Sequence, residues 1–185
     1  RARERNHHTP TAPVRAEGTT PPEEAHMSTG TTTAVTLTPE QLLRHWLGHR
    51  RLTRRVIEAF PEDELFTYSI GGMRTFAQLA MELLAVGAPL LRGLVTSEST
   101  GYEEPEVTSK EELLRRWDES TAEIGDLWPQ LPAGRLQETY IAFGTYTAPG
   151  YEQILYAIDN EVHHRGQGYV YLRALGIEPP PFWER

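Results

Sequence analysis

The chain has 185 residues, no cysteine, and a formal charge of -8 with histidine neutral. That length supports one ordinary domain with its own core and excludes two large ones. Missing thiols rule out disulfides, zinc ribbons and cysteine nucleophiles, and leave His, Asp and Glu as the strong metal ligands. The acidic balance disfavours phosphate backbones, so no nucleic-acid partner is expected. No run of about 18 apolar residues occurs, so no membrane partner is expected either. With no apolar leader near the start, the expected location is cytoplasmic.

Residues 1–34 are rich in Thr, Pro and charge and lack periodic hydrophobics. Such a stretch cannot bury enough apolar surface to offset its ordering entropy, so it is expected to be a flexible or non-native extension, with Met27 as a plausible native start. Residues 35–185 form the expected domain. The first helix begins at TLTPEQLL, where Thr38 caps, Pro39 suits the first helical position and Gln41 completes a capping box. Leu42, Trp46, His49, Thr53, Val56 and Phe60 follow at helical spacing, and Pro61 ends the pattern. The basic cluster HRRLTRR, His49 to Arg55, is read as a solvated face.

A second helix fits Thr75 to about Ala88, with Thr75 and Gln78 as another capping box. Gly87 and Pro89 then either stop it or kink it on through Leu91. After a long link, Ser109 and Glu112 cap a third helix that stops before Pro129. Pro129 to Pro149 reads as a loop or a partial helical turn. The fourth helix runs from about Gly150 to Leu175, closed by Gly176 and the prolines 179 to 181. Four amphipathic helices with two long connections predict an all-α four-helix bundle.

On the fourth helix, Ile154, Ile158, Val162, Tyr169 and Leu172 gather on one side, and Gln153, Asn160, His164, Gln167 and Tyr171 on nearly the opposite side. The second stripe lacks Lys and Glu, and its composition suits either water or the wall of a polar cavity. Glu161 and Arg165 are spaced as a structural ion pair, and His163 falls between the stripes. His49 on an apolar face and Glu82 at the edge of another both need partners if buried. Either Glu82 sits at the wet edge of its stripe and His49 bonds a backbone carbonyl, or the two converge with His164 inside the bundle.

The stretch HHRGQGYVYLRALGIEPPPF, with HWLGHRRLTRRVIEAFPEDELF and GGMRTFAQLAMELL before it, resembles the DinB/YfiT-like family, in which many members are read as metalloenzymes. The resemblance spans roughly Thr36 to the C-terminus. It implies a four-helix bundle, a homodimer, a divalent metal such as zinc or nickel, and a small-molecule ligand of the thiol type handled by a transferase or hydrolase. The usual metal set is three histidines, and those positions correspond to Glu82, Asn160 and His164, so two of the three are replaced. Asn is a poor ligand for zinc or nickel.

Three readings stay open on these grounds. A metal persists on Glu82 and His164, with His49 or a water completing its shell. Alternatively, the site is a metal-free pocket for a small molecule, lined by His49, His163, Gln167 and Tyr171. In the third, the protein is a dimeric interaction scaffold. A metal-bound water or thiol, or Glu82 as base with His164 as acid, would supply the chemistry in an enzyme, with Gln167 and Tyr171 orienting the substrate. No Gly-x-Ser-x-Gly elbow or phosphate-binding loop is present.

Overall fold

A computed structural model describes residues 36–99 and 101–185. The expected extension over 1–34 lies outside the described residues. The described residues are mostly helical, with five helices and one small two-stranded sheet: α1 (Pro39–Ala59), α2 (Glu62–Thr67), α3 (Phe76–Thr96), α4 (Lys110–Leu127), β1 (Thr139–Ala142), β2 (Tyr146–Pro149) and α5 (Gly150–Ala174). The all-α expectation is therefore corrected by a β-hairpin.

The caps form where the sequence places them. Thr38 accepts from the Gln41 amide at 3.2 Å while Gln41 accepts from the Thr38 amide at 2.8 Å. Thr75 and Gln78 repeat the arrangement at α3, and the Ser109 hydroxyl caps α4 through the Glu112 amide. The short α2 was not foreseen. Its first turn carries Glu62, Asp63 and Glu64, which suit a helix N-terminus, and its Leu65 is fully buried. Lys110 then joins three elements: its amide donates to Glu62, and its ammonium donates to the Glu58 and Phe60 carbonyls at the end of α1.

Rather than stopping near Ala88, α3 continues through Pro89 to Thr96. Proline there forgoes one backbone hydrogen bond, and burial of Leu90, Leu91 and Leu94 on the same helix holds the extension in place. By length and composition α3 would also pass for a membrane-crossing helix, yet 67% of that stretch is buried inside the structure. It packs against α4 and α5, which also pack against α1.

The core has two apolar clusters. One gathers Val56, Phe60, Phe76, Leu83, Trp117 and Leu172; the other gathers Trp46, Leu90, Ile124, Trp128, Ile154 and Ile158. Along α1 and α5, the buried polar residues His49, Arg50, Thr53, Glu161, His164 and Arg165 fall between the two, and the half-buried Glu82 of α3 faces this level. This middle level positions the candidate site.

The segment before α5 forms the hairpin instead of a loop. Its strands pair Thr139 with Pro149 and Ala142 with Tyr146, and the turn residues Phe143 and Gly144 both have positive φ (52° and 69°). The left-handed region is natural for glycine and uncommon for phenylalanine. Gln153 on α5 donates to the Tyr140 and Ala148 carbonyls (2.6 and 3.0 Å), so this member of the polar stripe anchors the hairpin.

Candidate functional site

Glu82 on α3 and Asn160 and His164 on α5 come together. Asn160 Nδ2 donates to Glu82 Oε1 at 3.1 Å, and His164 Nε2 lies 3.0 Å from the same oxygen. The i, i+4 spacing on α5 places both residues on one face, facing one carboxylate. The other carboxylate oxygen, Oε2, is paired with Arg74. Sequence reasoning missed Arg74, which precedes α3 on a turn where Gly71 and Gly72 take positive φ (61° and 77°). Tyr171, fully buried, donates its hydroxyl to the Arg74 carbonyl at 3.0 Å and packs edge-on against Tyr68. Tyr171 thus positions the residue that pairs with Glu82.

The electrostatics of this group follow from its contacts. Burial pushes the Glu82 carboxyl up, but the hydrogen bonds from His164, Arg74 and Asn160 outweigh it and hold the group below its ordinary value. Burial pushes His164 down despite its carboxylate neighbour, so the imidazole is neutral near pH 7. A carboxylate opposite Nε2 places the ring proton on that nitrogen. His164 Nδ1 is buried without a hydrogen-bond partner.

Glu82 also lines a cavity of about 440 Å³ whose other walls include Tyr102, Phe143, Tyr146 and Tyr156. A second cavity of about 250 Å³ adjoins it and shares Phe143, Tyr146 and Tyr156. These aromatics come from the α3–α4 link, the hairpin and α5. In the sequence, the aromatic run YIAFGTY marks Phe143 and Tyr146, and no local signal marks Tyr102 or Tyr156.

The remaining expected residues lie elsewhere. His163 is exposed and accepts from Gln167 Nε2 at 2.9 Å; neither lines the cavity beside Glu82. His49 does not join Glu82 and His164. Its Nδ1 faces Arg165 Nη2 at 2.8 Å, and its Nε2 lies 3.2 Å from His45 Nε2 and 3.0 Å from Arg185 Nη1. Arginine nitrogens face both ring nitrogens, so both edges of the His49 imidazole are engaged in this network and neither is turned to Glu82.

Burial, then the positive charges of Arg165, His45 and Arg185, push the His49 pKa down to about 3 from 6.5. The unfolded chain therefore takes up this proton first, and stability falls as pH drops below about 6.5 toward about 3. Urea midpoints measured from about pH 7 to about pH 4 are expected to decline, and His49→Gln to flatten that slope.

His49 is one end of a buried network. Arg165 Nη1 donates to the Thr53 hydroxyl at 2.9 Å, and Thr53 donates to Glu161 Oε1 at 2.5 Å. Glu161 lies 3.7 Å from Arg165 and 3.8 Å from Arg50. Arg50, 1% exposed, stacks 3.4 Å above the Trp117 ring, donates to Thr121, and its carbonyl accepts from Trp117 Nε1. The solvated-face reading of the HRRLTRR cluster is thus corrected at Arg50, and the Glu161–Arg165 pair is interior.

The DinB family model matches residues 27–185 of this chain. The uncharacterised protein YjoA of Bacillus subtilis is 23% identical over 149 residues, covering 78% of this chain and 96% of that protein. A solved DinB-like structure from the same organism superposes with a TM-score of 0.63 at 20% identity, covering 78% of this chain and 99% of its own. A DinB-like structure from Bacillus cereus gives a TM-score of 0.63 at 18% identity, covering 78% and 97%. A mycothiol-dependent maleylpyruvate isomerase is more distant, with a TM-score of 0.52 at 16% identity over 71% of this chain and 61% of its own. At these identities the structural likenesses speak for the fold, and the family match covers most of the sequence: the chain belongs to the DinB family.

Proposed function

We propose that this protein binds a small organic molecule, without a metal, in the cleft beside Glu82 of a four-helix bundle built from α1, α3, α4 and α5. One observation carries the reading: three nitrogen donors, from Arg74, Asn160 and His164, converge on one carboxylate that also opens onto a cavity of about 440 Å³. A divalent metal needs several lone pairs converging on a cation. Here the polarity is inverted, with an anion at the centre and N–H groups around it. His164 directs its Nε2 proton at Glu82, Asn160 presents its amide nitrogen, and Arg74 already supplies the positive charge. The donor set does not fit zinc or nickel.

In this arrangement Glu82 is the recognition group. Its ionised carboxylate accepts hydrogen bonds or meets positive charge on a ligand, while Arg74, Asn160 and His164 hold it in one rotamer. Bundle interiors are where small-molecule cavities form. With its Nε2 proton directed at Glu82, His164 holds the carboxylate in place rather than serving as a general base.

Elemental analysis of protein purified without a nickel column checks the metal-free reading. No stoichiometric zinc, nickel or manganese is expected, and a chelator should leave the melting temperature unchanged. One metal per chain, lost in His164→Ala, would overturn it.

A further inference from the structure

Resting on that reading of the cleft, we propose that its ligand is an organic cation, an ammonium or quaternary ammonium group on a small apolar body. Among the described residues lining the larger cavity, four are aromatic (Tyr102, Phe143, Tyr146 and Tyr156) and the one charged residue is Glu82. In the adjoining cavity, three of these aromatics recur and the one charged lining residue is Glu152. Both chambers thus combine ring surface with a carboxylate and present no cationic side chain on their walls. Arg74 pairs with Glu82 but does not line either cavity.

The faces of aromatic rings carry negative potential, and several rings around one space attract a cation that a purely aliphatic wall would not hold. The rings are arranged in two pairs. Tyr102 and Phe143 meet edge to face at 5.9 Å, and Tyr146 stacks on Tyr156 at 6.4 Å. Tyr102 also donates its hydroxyl to Glu104, which shifts electron density into the ring and places a further carboxylate behind it. Phe143 reaches the cleft from a left-handed turn position that glycine or asparagine fills more readily. A carboxylate or phosphate ligand would meet Glu82 and Glu152 with no opposing charge on the lining. The chain's charge of -8 further favours the approach of cations.

The test is calorimetric titration of the full chain with choline, with its uncharged isostere 3,3-dimethylbutan-1-ol and with the anion 3,3-dimethylbutanoate, repeated with phenyltrimethylammonium. The cations are expected to bind at least about tenfold more tightly than the uncharged isostere. Tyr156→Leu, at a side chain 54% exposed, keeps an apolar wall while removing one ring. It should remove most of that preference and leave the melting temperature unchanged. Equal or tighter binding of the uncharged or anionic probe would overturn the cation assignment while leaving a small-molecule site standing. Failure of every probe, together with no thermal shift across a fragment library, would overturn both.

Discussion

Gly168→Ala is expected to lower unfolding stability by about 2 kcal/mol, whereas Gly166→Ala, two residues earlier, leaves it unchanged or raises it slightly. A Cβ on Gly168 would lie 2.4, 2.8 and 2.9 Å from three carbons of the Phe76 ring. Phe76 is fully buried and stacked on Phe60 at 4.9 Å between ring centres, so its ring has no space into which to retreat. Replacing glycine by alanine within a helix gains about 1 kcal/mol of intrinsic propensity. Overpacking of a well-filled core costs about 1–3 kcal/mol and more where backbone must shift; at a 2.4 Å approach the clash wins. At Gly166 nothing lies within 4 Å of the added carbon, and only the propensity gain remains. Urea midpoints of the two variants check the contrast, and an unchanged midpoint in Gly168→Ala would show that α3 and α5 separate easily. The second glycine of GQG is thus a packing device that lets α5 approach α3 closely, which is what brings His164 to Glu82.

Much of the helical frame was legible because its start signals are local. Thr38 with Gln41, Thr75 with Gln78, and Ser109 each satisfy orphan amides within one turn, so the sequence alone displays them. The hairpin was not legible, since its turn is Phe-Gly where Asn-Gly or Asp-Gly is the usual signal, and its docking depends on Gln153, more than ten residues downstream of Tyr140. Glu82 and His164 stand out from their helix faces, and the family resemblance adds Asn160 to them; the structure brings these three together. Arg74, Tyr102 and Phe143 reach the cleft from links and a turn, about which periodicity carries no information, whereas Tyr146 and Tyr156 sit on β2 and α5 and carry no local mark of a site.

The face of α5 was misjudged for a different reason. Val162, assigned to the apolar stripe, is 41% exposed, while Glu161 and Arg165 are buried. A pattern that sorts residues by polarity places such a pair outside. Their burial depends on Arg50 and Thr53 from α1, more than a hundred residues away in sequence. Of the two readings open for His49, convergence on Glu82 fails: the ring completes this second network instead.

That network gives the largest expected loss of stability, in Glu161→Ala. Glu161 is 2% exposed, and its carboxylate lies between the guanidinium groups of Arg50 and Arg165, at 3.8 and 3.7 Å. Removing it takes from two buried guanidinium groups the carboxylate they share and deprives Thr53 of its acceptor at 2.5 Å. Breaking a buried ion pair from one side costs about 3–5 kcal/mol, because the surviving charge keeps its desolvation penalty. A domain of this size has about 5–15 kcal/mol in total, so the variant should be marginally folded at best. Glu161→Gln keeps an oxygen for Thr53 and should lose less. The triple change Arg50→Met, Glu161→Leu, Arg165→Met removes every charge at once and should recover most of the stability, since a well-packed apolar replacement avoids the desolvation cost altogether. Chemical denaturation of the three variants reads these differences directly. A wild-type midpoint in Glu161→Ala would mean that water reaches the arginines and that the network is not a closed interior unit. Recovery in the triple variant, with ligand binding at the Glu82 cleft retained, would show that the two polar groups at this level of the bundle act independently: one holds α1, α4 and α5 together, and the other faces the ligand.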